Sequence, residues 1–582
     1  MKPVIAFAQF DPTPGDIAGN CKRILKLMEQ AEGTGVELLL FPEEAVGGYC
    51  VGDLNRNRIF MRESLRAVEQ HLVPASGNVA VVIGLIAPLA HRKLNDGAIG
   101  AQNRFVVMQK GKVIGQGAKS LLVDDGVFYD SRYFLPAQEQ TVVPVTIETR
   151  SGPCRLGIMI CHDMWDDNSV FKPSRHLAQQ GAELLVVLNS SPFYSGRHLQ
   201  RMATARQRVA ETGLPLAYVN ACSVQDNGKN VILFDGGSFL LEKDGSTVFS
   251  CPRFVDGLFP ADSSAVIQPQ VGSETDEILD ALLFGLRGFF QRTGDKNAVI
   301  GLSGGIDSSL SAALVVAALG PERLLGVNMP TRFSSSTTRK NAAELARRLG
   351  IEYIVHPIEE IVQRKKNDYE QITQVKMATL TFENIQARER GNSLMTYAQE
   401  RQALVIGNGN KTEFQRGYAT LYGDIVGALM PLGDLAKTEV YRVAALVNKR
   451  FRNPIPEAVI TIPPSAELSA AQDIDKGQGD PFDYDVEGPL GQEIMERERS
   501  PGELRKLFEQ RKLDPELWSP VRSSKSVYDK HTPDSFEILA HEVFRAIESS
   551  VFKRIQAPPV VKVSRKAFGF DFREAGFARL KY

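Results

Sequence analysis

The sequence predicts an α/β protein with two domains, and three observations support that fold class. Short apolar runs alternate with helical patterns along the 582-residue chain. From residue 297 onward this alternation is regular, which favours a parallel, doubly wound sheet. Between the halves, ADSSAVIQPQVGSET (261–275) is small, polar and interrupted by Pro and Gly. We therefore expect domains at 1–262 and 276–582, joined by a linker at 263–275.

The first half alternates predicted strands with predicted helices. The strand segments are apolar throughout, which predicts burial on both faces of a sheet. They are Pro3–Gln9, Leu38–Phe41, Val79–Ile86, Arg104–Lys110, Arg155–Ile160, Leu184–Asn189 and Leu216–Asn220. The helices are expected at Asn20–Glu32, Leu54–His71, Pro173–Gln180 and Leu199–Thr212.

The second half begins with a predicted helix and continues as a βαβ series. Helices are expected at Asp276–Arg292, Ser308–Leu319 and Ser335–Leu349, and strands at Asn297–Leu302, Leu324–Met329, Glu352–His356 and Ala403–Gly407. Residues 469–487 are rich in Asp, Gly and Gln, which predicts a mobile loop. The tail at 553–573 is rich in Lys and Arg and contains Pro558-Pro559.

Composition and charge exclude several classes of protein. The chain is 43% hydrophobic and 24% charged, which excludes a disordered or collagen-like chain. Its net charge of -1 removes the simplest electrostatic argument for a nucleic-acid partner. The six cysteines form no C-x-x-C pair, and the most apolar stretch, Val79–Ala90, is too short to span a bilayer. We expect a cytoplasmic protein without a membrane or nucleic-acid partner.

A glycine-rich turn follows the buried strand AVIGL and opens a helix: GLSGGIDSS, residues 301–309. Glycines let backbone N–H groups approach an anion, and the helix N-terminus adds partial positive charge. Ser303, Ser308 and Ser309 supply hydroxyl donors. Asp307 would repel a phosphate unless a cation lay between them. The pattern therefore predicts a phosphate site with Mg²⁺ at Asp307.

The S-G-G-x-D-S string resembles the pyrophosphate loop of ATP pyrophosphatases, which cut ATP between its α and β phosphates and adenylate an oxygen. Further strings follow in order: ENIQARER (383–390), GNGNKTE (407–413), GYATLYGD (417–424), PLGDLAK (431–437) and PPSAEL (463–468). Together with the loop they resemble the NAD⁺ synthetase family over residues 276–582. That resemblance implies a doubly wound parallel sheet of the adenine nucleotide alpha hydrolase type.

The resemblance also implies a role for each matching position. ATP would contact Gly301, Leu302, Ser303, Gly304, Gly305, Ile306, Asp307, Ser308, Asn408, Lys437 and Ser465. Deamido-NAD⁺ would contact Asn384, Glu413 and Lys553. Asp307 and Glu413 would ligate Mg²⁺, and Lys437 would neutralise a phosphate. The set is chemically coherent, because ATP and the substrate carboxylate are both negative and their repulsion must be offset.

Cys161 stands at the end of a predicted strand and begins the turn CHDMW, where we expect the thiol to be exposed. Such a cysteine suits a nucleophile, whereas the other five suit small buried hydrophobes. A thiol needs a base and a cationic neighbour to become reactive. Glu43, in LFPE, and Lys119, shortly before VFYDSRYF, are the candidates at other strand ends.

This Glu–Lys–Cys order resembles the nitrilase, or carbon–nitrogen hydrolase, family. There the Glu is the general base, the Cys attacks an amide carbon, and the Lys stabilises the oxyanion. The resemblance implies a four-layer α-β-β-α sandwich and, ahead of a synthetase domain, a glutaminase. Ser191 and Arg197 fall at glutamine-contacting positions. His162, where the family usually has Glu, and Asp125, where Tyr often stands, depart from its pattern.

Taken together, the resemblances imply a glutamine-dependent NAD⁺ synthetase activity. Ammonia released from glutamine would displace AMP from adenylated deamido-NAD⁺ and give NAD⁺, AMP and pyrophosphate. ATP would be the co-substrate, Mg²⁺ the cofactor, and the chain would form a homo-oligomer. One alternative is an ammonia-dependent NAD⁺ synthetase whose first domain is drifted or inactive. Another is a nucleotide-binding regulatory protein without catalysis.

Overall fold

The computed structural model of the chain describes residues 3–93, 97, 99–261, 272–569 and 571. The chain forms two compact units, residues 1–227 with 232–271 and residues 228–231 with 272–582. Of the predicted linker, 263–271 lies outside the described residues, as do most of 570–582. Among the described residues, no helix combines the length and the hydropathy needed to cross a bilayer.

Fourteen strands lie between residues 5 and 260 in the described part of the chain, and twelve of them form two six-stranded sheets. The strands are β1 (Ile5–Gln9), β2 (Leu38–Leu40), β3 (Ala80–Lys93), β4 (Ile99–Gln109), β5 (Lys112–Ala118), β6 (Val145–Thr149), β7 (Gly152–Ile160), β8 (Leu184–Asn189), β9 (Leu216–Asn220), β10 (Cys222–Asp226), β11 (Asn230–Asp235), β12 (Phe239–Leu241), β13 (Thr247–Ser250) and β14 (Gly257–Pro260). One sheet has the order β14-β1-β2-β3-β4-β5 and the other β13-β12-β9-β8-β7-β6.

Helices cover the outer faces of both sheets. They are α1 (Ile17–Glu32), α2 (Arg58–Ala67), α3 (Asp130–Tyr133), α4 (Pro173–Gln179) and α5 (Arg197–Thr212). The inner faces meet in one apolar core, where Phe7 and Leu40 of one sheet join Ile158 and Val186 of the other. Separate cores lie between the first sheet and α1 and between the second sheet and α4 and α5. The predicted four-layer α-β-β-α sandwich is therefore confirmed.

The second unit is built on a four-stranded parallel sheet. Its strands are β15 (Asn297–Gly301), β16 (Leu324–Asn328), β17 (Glu352–Val355) and β18 (Ala403–Ile406), in the order β17-β16-β15-β18. A short strand, β19 (Val560–Val561), lies near the C-terminus. β16 and β18 lie on opposite sides of β15, so the strand order reverses there. A crevice therefore opens beyond the carboxyl ends of β15 and β18. The predicted doubly wound sheet is confirmed.

Helices pack on both faces of this sheet and extend beyond it. They are α6 (Glu274–Thr293), α7 (Ile306–Leu319), α8 (Ser336–Leu349), α9 (Glu359–Thr373), α10 (Thr379–Arg401), α11 (Lys411–Arg416), α12 (Lys437–Arg450), α13 (Glu457–Thr461), α14 (Tyr484–Met495), α15 (Pro501–Glu509), α16 (Val527–Lys530), α17 (Pro533–Ser549) and α18 (Val551–Ile555). α9 and α10 share a core with one face, and α6 and α12 pack against α7.

Two predicted elements differ from the structure. The helix expected at Leu54–His71 is divided into a 3₁₀ turn (Gly52–Arg56), α2 and a π turn (Val68–Leu72). Asn57 divides the first two, because its side chain accepts hydrogen bonds from Ile59 N and Phe60 N and caps α2. The loop expected at 469–487 contains two 3₁₀ turns and the start of α14, whose residues are buried.

Two candidate active sites

Glu43 lies in a buried turn beyond the carboxyl end of β2. A Cβ on Gly84 of β3 would lie 2.5 Å from Glu44 N, so a glycine in that strand lets the turn approach it. The Glu43 carboxylate accepts hydrogen bonds from Asn103 Nδ2 at 2.7 Å, Lys119 Nζ at 3.0 Å and Ser190 N at 2.8 Å. These three donors hold the carboxylate in one orientation.

Lys119 lies between two carboxylates inside the first unit. Its Nζ is 3.0 Å from Glu43 Oε1 and 2.8 Å from Asp130 Oδ2, and all three side chains are at most 2% exposed. Although burial alone would lower it, the carboxylates of Asp130 and Glu43 raise the pKa of Lys119 well above its usual range. Tyr49 OH donates to Asp130 Oδ1 at 3.3 Å. Sequence analysis missed Asp130, although it lies within the VFYDSRYF segment.

Cys161 directly follows β7, with its backbone in the left-handed region (φ 46°). Its side chain is only 4% exposed and packs in the core between the two sheets, so the expected exposure of the thiol is wrong. Burial first, and then the charge of Glu43, raise the pKa of this thiol, while Lys119 opposes the shift. The structure thus places the Cys161 thiol where the charges of both Glu43 and Lys119 act on it.

Ser191 and Arg197 lie on the same side of the first unit as this triad. Ser191 Oγ accepts a hydrogen bond from Arg201 Nε at 3.1 Å, and Arg201 Nη1 donates to Asp235 at 2.7 Å. The Arg197 guanidinium stacks over the Trp165 ring, 4.2 Å from its centroid. Arg197 Nε is buried without a hydrogen-bond partner among the described residues. Its charge also acts on the Cys161 thiol and lowers the pKa of that group against the larger effect of burial.

Of the two departures from the family pattern, His162 follows Cys161 directly, and the charge of Asp125 acts on the His162 ring. Burial first, and then the charge of Lys119, lower the pKa of His162, while the carboxylates of Asp130 and Asp125 oppose the shift. An imidazole with a lowered pKa follows the cysteine, where the family usually has a carboxylate. Asp125 is exposed.

The glycine-rich turn links β15 to α7 at the crevice of the parallel sheet. Gly304 has φ 87°, and a Cβ there would lie 2.0 Å from Thr338 O, so no other residue fits that position. Ser303 Oγ accepts from Gly305 N at 3.2 Å and lies 3.1 Å from Ser308 Oγ. The turn therefore gathers backbone N–H groups and serine hydroxyls at the N-terminus of α7. Such an arrangement of donors suits a phosphate.

Lys437, the first residue of α12, contacts both predicted metal ligands. Its Nζ lies 2.5 Å from Asp307 Oδ2 and 3.4 Å from Glu413 Oε1. Burial raises the pKa of Glu413 to about 8, with Lys437 opposing the shift and Asp307 adding to it. Asn410 Nδ2 donates to Asp307 Oδ1 at 2.9 Å and holds that carboxylate toward the lysine.

This carboxylate pair fits a magnesium ion that shares its ligands with a phosphate. Both carboxylates keep about a fifth of their surface exposed, which leaves room for a further ligand. No group of three or more His, Cys, Asp or Glu side chains within the described residues could hold a metal by itself. Mg²⁺ commonly binds through one or two carboxylates and completes its octahedron with water and substrate phosphate.

A cavity of about 450 Å³ joins these groups in the second unit. With the exception of Gly304, which packs on Thr338 O, it is lined by every predicted ATP and deamido-NAD⁺ residue: Gly301, Leu302, Ser303, Gly305, Ile306, Asp307, Ser308, Asn384, Asn408, Glu413, Lys437, Ser465 and Lys553. Arg390 and Tyr418, which sequence analysis did not assign, also line it, although both fall within the motif strings.

Several of these lining side chains are already oriented by the protein. Asn408 Nδ2 donates to Gly301 O at 2.9 Å and ties the carboxyl end of β18 to the phosphate turn. Lys553 Nζ donates to Gly417 O and Ala419 O, each at 2.7 Å. Ser465 Oγ donates to Gln472 O at 2.9 Å, and Asn384 Oδ1 accepts from Thr420 Oγ1 at 2.7 Å.

Comparison with known protein families divides the chain as its two sites do. The carbon-nitrogen hydrolase family matches residues 4–270, which include Glu43, Lys119 and Cys161. The NAD synthase family matches residues 278–522, which include the phosphate turn, Glu413 and Lys437.

Whole-length relatives carry both parts in one chain. The glutamine-dependent NAD(+) synthetase of Synechocystis sp. is 32% identical, over 98% of this chain and 97% of its own. That of Thermotoga maritima is 30% identical, over 98% and 97%. Among solved structures, the glutamine-dependent NAD⁺ synthetase of Acinetobacter baumannii in complex with ADP aligns with a TM-score of 0.72 at 28% identity, over 99% of this chain and 98% of that chain.

Proposed function

The chain belongs to the glutamine-dependent NAD(+) synthetase family, and from this premise we propose a division of its reaction between named residues of the two sites. The protein is a ligase that forms a C–N bond with glutamine as the amide donor. The first unit releases ammonia from glutamine. The second unit uses ATP and that ammonia to convert deamido-NAD⁺ to NAD⁺.

In the first site, Glu43 accepts the proton of the Cys161 thiol as the sulfur attacks the glutamine amide carbon. Lys119, held by Glu43 and Asp130, stabilises the oxyanion of the tetrahedral intermediate. Glu43 returns the proton to the leaving nitrogen, which departs as ammonia and leaves a glutamyl thioester. Water, deprotonated by Glu43, hydrolyses the thioester to glutamate and restores the thiol. Ser191 and Arg197 bind the amino-acid end of the substrate.

The second site binds ATP at the turn from Gly301 to Ser308, with Asn408, Lys437 and Ser465 as further contacts. Asn384, Glu413 and Lys553 bind deamido-NAD⁺. A nicotinate carboxylate oxygen attacks the α-phosphorus of ATP, and pyrophosphate leaves toward the backbone N–H groups of the turn. Ammonia then attacks the adenylated carbonyl carbon, the C–O bond to AMP breaks, and a proton is released as the amide forms.

Asp307 and Glu413 are the residues that would hold Mg²⁺, which when bound neutralises phosphate charge. Lys437 places one positive charge between these two carboxylates in the protein itself. It therefore offsets part of the repulsion between the carboxylates and an incoming triphosphate.

One observation carries the proposal for the first site: the buried Glu43–Lys119 pair whose charges act on Cys161. A domain drifted to inactivity would have no need to keep this buried, charged arrangement. The test is Cys161→Ala, assayed for NAD⁺ formation with glutamine and with ammonium. We expect glutamine-supported synthesis to fall at least about a thousandfold and ammonium-supported synthesis to stay within about twofold.

The wild-type protein is the decisive control in this experiment. If it makes NAD⁺ from ammonium but not from glutamine, Cys161 serves another amide, and His162 and Asp125 become the first residues to exchange. If Cys161→Ala keeps the glutamine-supported rate, the assigned nucleophile is wrong.

A cytoplasmic, homo-oligomeric protein is the remaining part of the proposal. All six cysteines are free thiols, which suits a reducing compartment. Light scattering coupled to size-exclusion chromatography measures the oligomer. A mass equal to that of one 64.1 kDa chain over the working concentration range would contradict it.

A further inference from the structure

The C-terminal segment Val560–Ala567 lies buried along the loop that precedes α12. Met430 N donates to Pro559 O at 2.9 Å, and Met430 pairs with Val560. A Cβ on Gly433 would lie 2.2 Å from Val560 Cγ1, so the glycine makes room for the segment. Five of its residues are under 5% exposed: Val560, Val561, Lys562, Val563 and Ala567. The segment is therefore an integral part of the second unit, although the NAD synthase family match ends at residue 522.

The Asp434 carboxylate binds two backbone N–H groups and one hydroxyl of this segment. The carboxylate is fully buried and accepts hydrogen bonds from Val563 N at 2.8 Å, Ser564 N at 2.7 Å and Ser564 Oγ at 2.7 Å. A buried charge is tolerated when it is paired and hydrogen-bonded, so this contact requires the segment to stay in place.

Lys411, the first residue of α11, is the cation that completes the cluster. It is fully buried, and its Nζ lies 3.0 Å from Asp434 Oδ1. It donates to Glu496 Oε1, Ser564 Oγ and Lys566 O, each at 2.7 Å. An ammonium group has three protons to donate, and three acceptors receive them. No substrate group is needed to explain these contacts.

The neighbours of Lys411 in the same helical turn serve the ATP site. Asn410 Nδ2 donates to Asp307 Oδ1 at 2.9 Å, Thr412 Oγ1 accepts from Lys437 N at 3.0 Å, and Glu413 contacts Lys437 Nζ at 3.4 Å. Successive residues of a helix point in directions about 100° apart, so one turn reaches two different clusters. Residues 410, 412 and 413 contact the phosphate side, and residue 411 contacts the C-terminal segment.

We propose that Lys411 is a positioning residue for the synthetase reaction and that the segment Val560–Ala567 is the tie that holds the first turn of α11 in register with Asp307 and Lys437. This inference rests on the proposed function, since it takes the ligand of that site to be ATP. No residue of the segment is among those that line the cavity of the second unit. It acts through the helix that bears Glu413.

The test uses the full chain with Lys411→Met and Ser564→Ala. Ser564→Ala removes a single hydroxyl and keeps both buried charges paired, so it answers the question even if Lys411→Met does not fold. Lys449→Met, at an exposed lysine of α12, is the matched control. The readouts are calorimetric binding of a non-hydrolysable ATP analogue with Mg²⁺, KM for ATP against kcat with ammonium, basal glutamate release, and the thermal midpoint.

We expect analogue binding to weaken about tenfold in Lys411→Met and about threefold in Ser564→Ala, with KM for ATP rising in parallel. Glutamate release and the Lys449→Met control should stay at wild-type values. A lower thermal midpoint with unchanged analogue affinity and unchanged KM would overturn the proposal, because the cluster would then be merely structural. Unchanged values in Ser564→Ala would also overturn it.

Asp307→Asn separates this inference from the proposed function. If that variant binds the analogue as tightly as the wild type, the ATP site itself is misplaced. If Asp307→Asn loses affinity while Lys411→Met and Ser564→Ala keep it, the ATP site stands and only the role of Lys411 is wrong.

Discussion

Both candidate sites place a lysine between two carboxylates, but they differ in how far those carboxylates are closed off. Lys119 contacts Glu43 and Asp130, and these three side chains are at most 2% exposed. Lys437 contacts Asp307 and Glu413, whose side chains keep 19% and 20% of their surface exposed. The same arrangement of charges is therefore closed in the first unit and open in the second.

This difference matches the chemistry that we propose for each site. In the closed site protein donors hold both Glu43 oxygens in place, and Oε2 accepts only one of the three hydrogen bonds. A lone pair of Oε2 can therefore take the proton of a neighbouring thiol. In the open site the carboxylates can bind a further cation and a phosphate group. Burial suits proton transfer to a neutral amide, whereas the highly charged triphosphate needs a face open to ligands.

Removal of divalent cations should separate the two sites most completely. With a chelator present, we expect ammonium-supported NAD⁺ synthesis to fall at least about a thousandfold, because only the open site needs the ion. Basal glutamate release, measured without ATP, should stay within about twofold. Added Mg²⁺ should restore synthesis. Equal loss of both activities would show that the closed site also depends on a metal.

Exchange of either central lysine for methionine should damage its own site alone. Lys119→Met should lower glutamate release, and Lys437→Met ammonium-supported synthesis, by about a hundredfold or more each. Lys119→Met should also destabilise its unit by about 3–5 kcal/mol, because two fully buried carboxylates lose their cation. Lys437→Met should lower the free energy of unfolding of its unit by less, because Asp307 and Glu413 are partly exposed.

Lys22→Met and Lys449→Met, at exposed helix positions of the two units, control for charge removal. Activities are compared at 25 °C, and stabilities by chemical denaturation. An equal loss of stability in Lys119→Met and Lys437→Met would contradict the distinction between a closed and an open site.

Arg197→Ala should sharpen the comparison, because it changes substrate binding while Glu43, Lys119 and Cys161 stay in place. We expect KM for glutamine to rise about tenfold with a smaller change in kcat, because the guanidinium is the cation over Trp165 that a substrate carboxylate would meet. Alkylation of Cys161 by iodoacetamide should slow, because the thiol loses a positive charge that lowers its pKa. A fall in kcat with KM unchanged would place Arg197 in the chemical step instead.

The smallest effect expected is a pH dependence confined to the first unit. Burial lowers the pKa of His198 to about 4, against the opposing effect of Asp235. Between pH 6.5 and 4 the unfolded chain therefore binds a proton that the folded unit does not, and the free energy of unfolding falls as the pH falls. His198→Gln should remove about 1 kcal/mol of this loss at pH 5.5.

The measurement is denaturation followed by tryptophan fluorescence in a Trp518→Phe background, where Trp165 reports on the first unit alone. His71→Gln, at an exposed position of the same unit, is the control. If the two variants show the same pH dependence between pH 7.5 and 5.5, His198 does not contribute to acid sensitivity.

The fold class and the positions of the chemical groups were predictable because they depend on local sequence. Apolar runs alternating with helical patterns indicated the sheets, and turns after strands located Glu43, Cys161 and the GLSGGIDSS loop. The loop expected at 469–487 was wrong at its end, because residues 484–487 begin the buried helix α14. There Asp485 accepts hydrogen bonds from the backbone at residues 521–523. Composition alone does not reveal such distant partners.

Sequence alone determined which chemical groups the chain supplies: a thiol, a carboxylate, a lysine and a glycine-rich turn suited to a phosphate, each at the end of a strand. Only the tertiary structure decided which groups meet and how much water reaches them. It buried Cys161, which we expected to be exposed, and brought Asp130 to Lys119 and Ser564 to Lys411. The physical reason is that separations across 11 or 153 residues of chain depend on how sheets and helices pack, whereas a strand end depends on its neighbours.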